Sequence, residues 1–252
     1  MKIIPNIPGA VRLYLALPQL TPFKREIESA KKNGDYERER LYIYKAVQTW
    51  SNHVLHVFGS SLTVYGKENL PETGPVVFVG NHQSYSDIVV YFAALNTIPF
   101  GYVARNELAR IPAYGAWMRR VRGVFIKRDI PRESLKAIDE GIELIEKGFS
   151  LMIFPEGTRS RGPVMGEFKR GSVKLATKPG VPIIPVSING SYGMYEETGV
   201  FRAAEISVMV HPPIETNGLS RKEEKDLTGK VERIVRDGVE QMQQKRIAPP
   251  SC

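Results

Sequence analysis

Residues 75–95 read PVVFVGNHQSYSDIVVYFAAL. The apolar run at 75–79 predicts a buried strand. A polar turn follows at 81–87, and DIVVYFAAL at 87–95 predicts a helix opening at Asp87. Strand, turn and helix in this order form the first half of a β-α-β unit. In open α/β sheets, ligands bind at the carboxyl ends of strands, which is where this turn falls.

The same alternation continues downstream. Strands are predicted at 61–66 (SLTVYG), 98–104 (IPFGYVA), 123–128 (GVFIKR), 150–155 (SLMIFP), 182–188 (PIIPVSI) and 205–210 (EISVMV). Helices are predicted around Pro112 within 107–120, over 132–147, over 169–178 and over 221–245. Gly238 interrupts the last of these. The expected fold class is α/β, a mixed, mostly parallel sheet flanked by helices.

Upstream, residues 36–59 carry Ile43, Val47, Trp50, Val54 and Val57 at helical spacing, and Gly59 is a plausible stop. This helix either packs on the core or lies in a bilayer interface, paired with residues 7–20. The start of the chain is apolar but broken by Pro5, Pro8, Pro18 and Pro22 and interrupted by Arg12. It lacks a clean apolar core before a small-residue cleavage site, so a signal peptide is not expected. No run approaches the roughly 18 apolar residues of a spanning helix. Composition shifts near residue 60, which divides the chain into 1–59 and 60–252.

The chain has 252 residues, enough for one sizeable domain. Its net charge of +8 points to anionic partners: nucleic acid, phosphorylated metabolites or an anionic membrane surface. The single cysteine, Cys252, excludes an internal disulfide framework and a cysteine metal site. His53 and His56 lie one helical turn apart without a third ligand nearby, so no metal is expected.

Three stretches carry chemistry. His82 and Asp87 stand five residues apart at the end of the first quoted strand. Asp87 suits either a helix cap or a carboxylate that orients the imidazole as a base. With no G-x-S-x-G elbow and Cys252 remote, the proton such a base removes belongs to a substrate hydroxyl or a water. FPEGTRSRG at 154–162 also follows a strand. Gly157 allows close backbone approach, Thr158 offers a hydroxyl and Arg159 offers a planar donor fork for phosphate. Residues 105–128 mix arginines and lysines with aromatic side chains, suiting a phosphate pocket, a membrane-facing patch or a solvated face. No signature of a nucleic-acid-binding module appears, so nucleic acid is set aside.

Taken together, NHQSYSD (81–87), GVFIKR (123–128), FPEGTRS (154–160) and VPIIPVSI (181–188) resemble, in order, the four blocks of the 1-acylglycerol-3-phosphate acyltransferases, the PlsC-like glycerolipid acyltransferase family. ARNELARIP at 104–112 resembles that family's basic segment, with Arg105 where a lysine is more usual. The likeness covers roughly residues 60–212. It implies acyl transfer from an acyl thioester, acyl-CoA or acyl-carrier protein, to the 2-hydroxyl of lysophosphatidic acid, giving phosphatidic acid. By the same resemblance His82 is the base and Asp87 its orienter. Arg159 holds the acceptor phosphate with Arg128 and Arg105 as helpers, while Glu156, Gly157 and Thr158 shape the acceptor pocket. No cofactor and no metal are implied. Residues 1–59 become an N-terminal helical membrane-attachment segment and 60–252 the α/β acyltransferase domain, a protein held peripherally or monotopically on the cytoplasmic face of the cell membrane. Another lysophospholipid, glycerol 3-phosphate or a lyso-aminolipid as acceptor is the alternative. A non-enzymatic basic membrane binder and a histidine-based hydrolase are the readings from other classes.

Overall fold

The computed structural model describes residues 6, 9, 17–127 and 130–247. Among the described residues, two long helices precede the sheet. α1 (Thr21–Lys32) has Pro22 in its opening turn, where a missing N–H costs nothing. α2 (Tyr36–Val57) opens on Asp35, whose carboxylate accepts the Arg38 N–H at 3.0 Å. The sequence reading did not anticipate α1, because it took Pro22 as a breaker where it serves as a starter. Packed along α2 are α1, the turn Leu17–Leu20 and the helix Asp87–Ala94. Of the proposed partner, residues 7–20, only residues 9 and 17–20 lie among the described residues.

Seven strands form one sheet: β1 (Ser61–Tyr65), β2 (Val77–Gly80), β3 (Phe100–Arg105), β4 (Val124–Ile126), β5 (Ser150–Ile153), β6 (Ile183–Asn189) and β7 (Glu205–Val210). Their order is β1-β7-β6-β2-β5-β3-β4. Every neighbouring pair is parallel except β6 and β7. The sheet is therefore mixed and mostly parallel, as the alternating pattern implies. β2 and β6 are buried along their whole length, which is why both read as continuous apolar runs.

The intervening helices are α3 (Asp87–Ala94), α4 (Pro112–Arg120), α5 (Pro131–Glu146), α6 (Lys174–Thr177) and, last, α7 (Arg221–Ile247). The predicted helix at 107–120 is split. Asn106–Arg110 is a 3-10 turn, and Ile111 is extended at φ −76°, ψ 112° because the following Pro112 disfavours helical backbone there. The helix predicted at 169–178 contracts to α6, and Lys169–Ser172 form turns. Gly238 persists inside α7 for a packing reason. A Cβ there would lie 2.5 Å from Ser187 Oγ and 2.6 Å from the His211 ring.

Residue 60 separates helices from sheet but does not divide the core. Ile27, Ile43, Val54, Leu55 and Phe58 belong to the same apolar cluster as the strands. Glu39 of α2 is fully buried and takes both Arg122 Nε and Nη2 at 2.7 Å. Arg120 pairs with Glu28 of α1 at 2.8 Å. Two cations of the basic stretch 105–128 thus hold the helical pair to the sheet.

Candidate functional site

β2, β5, β3 and β4 run parallel, so their carboxyl ends share one edge of the sheet. The loop after β2 carries His82, and the loop after β5 carries residues 154–162. Two backbone bonds join these loops, Ser160 N–H to His82 O (2.7 Å) and Arg161 N–H to Gln83 O (3.1 Å). Glu156 adds a third tie. One carboxylate oxygen accepts the His82 N–H at 2.6 Å and the other the Gly166 N–H at 2.7 Å. Burial pushes the Glu156 carboxyl up, against the lowering effect of those two N–H groups. Its part is therefore to hold the loops; both oxygens are already engaged. Gly157 sits at φ +74°, in the left-handed region, and turns the chain back after Phe154.

His82 Nδ1 lies 2.7 Å from Asp87 Oδ2. Asp87 is completely buried, yet both oxygens have donors: the same oxygen accepts N–H groups of Gln83 (2.6 Å) and Ser84 (3.0 Å), and Oδ1 accepts the Ser191 hydroxyl (2.5 Å). These donors are why a buried carboxylate is tolerated here. Asp87 does not cap α3; it binds the N–H groups of the turn ahead of it. A carboxylate only accepts, so Nδ1 donates in this contact, and in a neutral ring so held Nε2 is the nitrogen with the lone pair. The ring stacks on Phe154 with centroids 4.2 Å apart and planes 10° from parallel. At 18% exposure its side chain remains reachable.

Two buried tyrosines fix the ends of this loop. Tyr91 OH donates to Asn81 O at 3.1 Å, and Tyr102 OH donates to Ile88 O at 3.0 Å. Burial raises both phenol pKa values far above the usual range, so they act as neutral donors. Asn81 bridges β2 to β6 through Ile188, donating to its O (2.9 Å) and accepting its N–H (2.8 Å).

Arg159 is held rather than free. Its Nη1 donates to Glu196 at 2.7 Å, and its guanidinium lies 3.3 Å over the Tyr85 ring. Glu196 is only 4% exposed and also accepts from Ser84 Oγ (2.5 Å) and the Tyr85 N–H (2.9 Å). The guanidinium has five N–H groups, so this clamp leaves donors for an anion. Thr158 is exposed. Arg105 reaches the same sheet edge, but its partner is Glu107 at 3.3 Å, and no hydrogen bond joins it to His82, Asp87 or Arg159. Arg128 lies outside the described residues. The sequence reading missed Phe154, Ser191, Glu196 and Tyr85 as parts of the site. Ser191 lies three residues beyond the last matched block, which ends at Ile188. Nothing local marks Glu196, because its pairing with Arg159 spans 37 residues.

Beside Ile88, a cavity of about 370 Å³ opens between α2, α3 and α4, with Val47, Phe92, Tyr114 and Trp117 among its walls. No helix of the described residues is long and apolar enough to cross a membrane.

A family model described as Acyltransferase matches residues 61–189. The chain is 32% identical over 186 residues to a 1-acyl-sn-glycerol-3-phosphate acyltransferase of Borreliella burgdorferi, covering 73% of this chain and 72% of that one. It is 28% identical over 211 residues to a protein of the same description from Pseudomonas aeruginosa, covering 81% of each. The crystal structure of the 1-acyl-sn-glycerophosphate (LPA) acyltransferase, PlsC, from Thermotoga maritima matches with a TM-score of 0.73 and 28% identity, over 95% of this chain and 100% of that one.

Proposed function

The chain belongs to the acyltransferase family, and from that premise we propose that it transfers an acyl group from a thioester to the 2-hydroxyl of lysophosphatidic acid, giving phosphatidic acid. His82 Nε2 takes the hydroxyl proton as the oxygen attacks the thioester carbonyl. The carbon–sulfur bond then breaks, and the thiolate departs with that proton. Asp87 stabilises the imidazolium between these events. A thiolate leaves without strong acid assistance, so one base suffices. The carbonyl oxygen needs donors while it carries charge. The backbone N–H groups of Glu156, Thr158 and Arg159 make no hydrogen bond among the described residues and are the candidates on the turn.

The single observation that carries this reading is the buried, four-donor Asp87 holding a reachable His82 with Nε2 free. The relatives' names supply the acceptor. Arg159, clamped but with donors to spare, is assigned to the acceptor phosphate. The carbon-lined cavity beside Ile88 suits a lipid tail. The net charge of +8 and the apolar start of the chain support work on an anionic bilayer surface, attached through residues 1–59.

The test is thiol release from defined acyl thioesters, with and without lysophosphatidic acid in anionic or neutral vesicles, using wild type and His82→Ala. Release should require the lysolipid, should fall roughly a hundredfold or more in the variant, and the protein should pellet with anionic vesicles. Release without any lysolipid would point to hydrolysis. Failure to pellet would refute the attachment.

A further inference from the structure

A second cavity of about 370 Å³ lies between α5, the ends of β3, β4 and β5, and the turn preceding α6. Ile138, Ile153, Phe154 and Leu175 give it an apolar interior. Lys169, Arg170 and Lys174 line it as well, and all three are exposed. None of these cations forms an ion pair among the described residues, whereas Arg120, Arg122 and Arg159 each have a carboxylate. Three like charges within six residues repel one another, and a bound anion relieves that repulsion. The turn that carries them is anchored to the catalytic loop, because the Lys169 N–H donates to Pro155 O at 3.1 Å.

Position matters as much as charge. Phe154 is a wall of this cavity and also the ring on which His82 stacks. Gly157 lines it too. A ligand seated there therefore touches the ring against which the imidazole stacks. The sheet order separates this approach from the acceptor's. Arg159 is clamped by Glu196, which follows β6 on one side of β2, while the cavity lies at β5, β3 and β4 on the other side.

We infer that this cavity holds the phosphopantetheine arm of the acyl donor, with its phosphate on Lys169, Arg170 and Lys174 and its thioester carried past Phe154 to His82. The inference rests on the acyl-transfer reading above and adds the donor's place. The match is one of form. The arm is a slender chain ending in a phosphate at one end and a thioester at the other, as the cavity runs from its charged lip to Phe154, the ring on which His82 stacks. Acyl-CoA and acyl-carrier protein share that arm.

The experiment compares wild type with Lys169→Ala/Arg170→Ala/Lys174→Ala, using one acyl chain on three donors: acyl-CoA, acyl-carrier protein and S-acyl-N-acetylcysteamine, which has no phosphate. All three side chains are exposed, so the variant should fold; its thermal transition is the check. The KM for both phosphopantetheine donors should rise roughly tenfold or more, as expected when charge-assisted phosphate contacts are lost. The KM for lysophosphatidic acid should hold, and the two proteins should be equal with the phosphate-free donor. A rise confined to acyl-CoA assigns the cations to its nucleotide phosphates, and a rise confined to the carrier protein assigns them to its surface; either overturns the placement. So does a rise in the lysolipid KM, or a defect that appears only as lost vesicle binding. A wild type that releases no thiol from any donor overturns the acyl-transfer reading as well. That outcome is distinct from an active wild type matched by its variant.

Discussion

Replacing Asp87 by Asn removes one charge while keeping nearly every contact. The amide oxygen can face the three N–H groups that now meet Oδ2, those of His82, Gln83 and Ser84. The amide nitrogen then faces Ser191 Oγ, whose hydroxyl can turn to Gln83 Oε1, 3.3 Å away. The turn should survive, with a thermal transition within a few degrees of wild type. What is lost is the Coulomb term between carboxylate and imidazolium. Two unit charges about 4 Å apart at an effective dielectric of about 20 interact by about 4 kcal/mol. The amide dipole and the partial exposure of His82 reduce the loss to about 3 kcal/mol, or roughly a hundredfold in kcat, since each 1.36 kcal/mol is a factor of ten. Thiol release at saturating donor and lysolipid measures it. A variant that keeps more than about a third of wild-type kcat would show that the carboxylate only shapes the turn.

Other perturbations test neighbouring claims. Arg159→Ala combined with Glu196→Gln, which avoids a bare buried carboxylate, should raise the KM for lysophosphatidic acid by roughly tenfold to a hundredfold, the range for a lost charged hydrogen bond or two. A monoacylglycerol acceptor should be affected far less, and equal loss with both would remove the arginine from phosphate binding. Gly238→Ala gains about 1 kcal/mol of helix propensity, but its Cβ meets buried Ser187 and His211. The clash should win, leaving a net loss of about 1–2 kcal/mol in urea denaturation; a raised midpoint would contradict the packing. Burial holds the His211 pKa below its usual value. The unfolded chain therefore binds that proton more readily, and the stability contributed is complete above about pH 6.5 and is lost as pH falls from there through the lower folded-state value. His211→Gln should flatten the fall of the melting temperature between about pH 7 and pH 5, and an unchanged slope would exclude this group.

The readings that relied on neighbours along the chain carried over well. Short apolar runs and period-3.6 apolar patterns, with their glycine and proline punctuation, placed seven strands and the helix read at 36–59 because those signals act over a few residues. The spacing from His82 to Asp87 was legible for the same reason, since a five-residue turn brings the two together by itself. α1 shows the limit of that method, because Pro22 reads as a breaker or a starter depending on what precedes it.

Motif blocks and residue types determined the acyltransferase resemblance and named His82, Asp87 and Arg159. Tertiary structure alone decided what each does with its remaining bonds. It engaged Glu156 with the His82 and Gly166 N–H groups, brought Glu196 and Tyr85 to Arg159, and set Phe154 under the imidazole. It also gave Arg122 to Glu39 and left Lys169, Arg170 and Lys174 at a cavity without an ion pair among the described residues. These partners are distant in sequence and meet only because parallel strands deliver their carboxyl ends to one edge. A side chain's pairing is a property of that edge, and no window of neighbouring residues contains it.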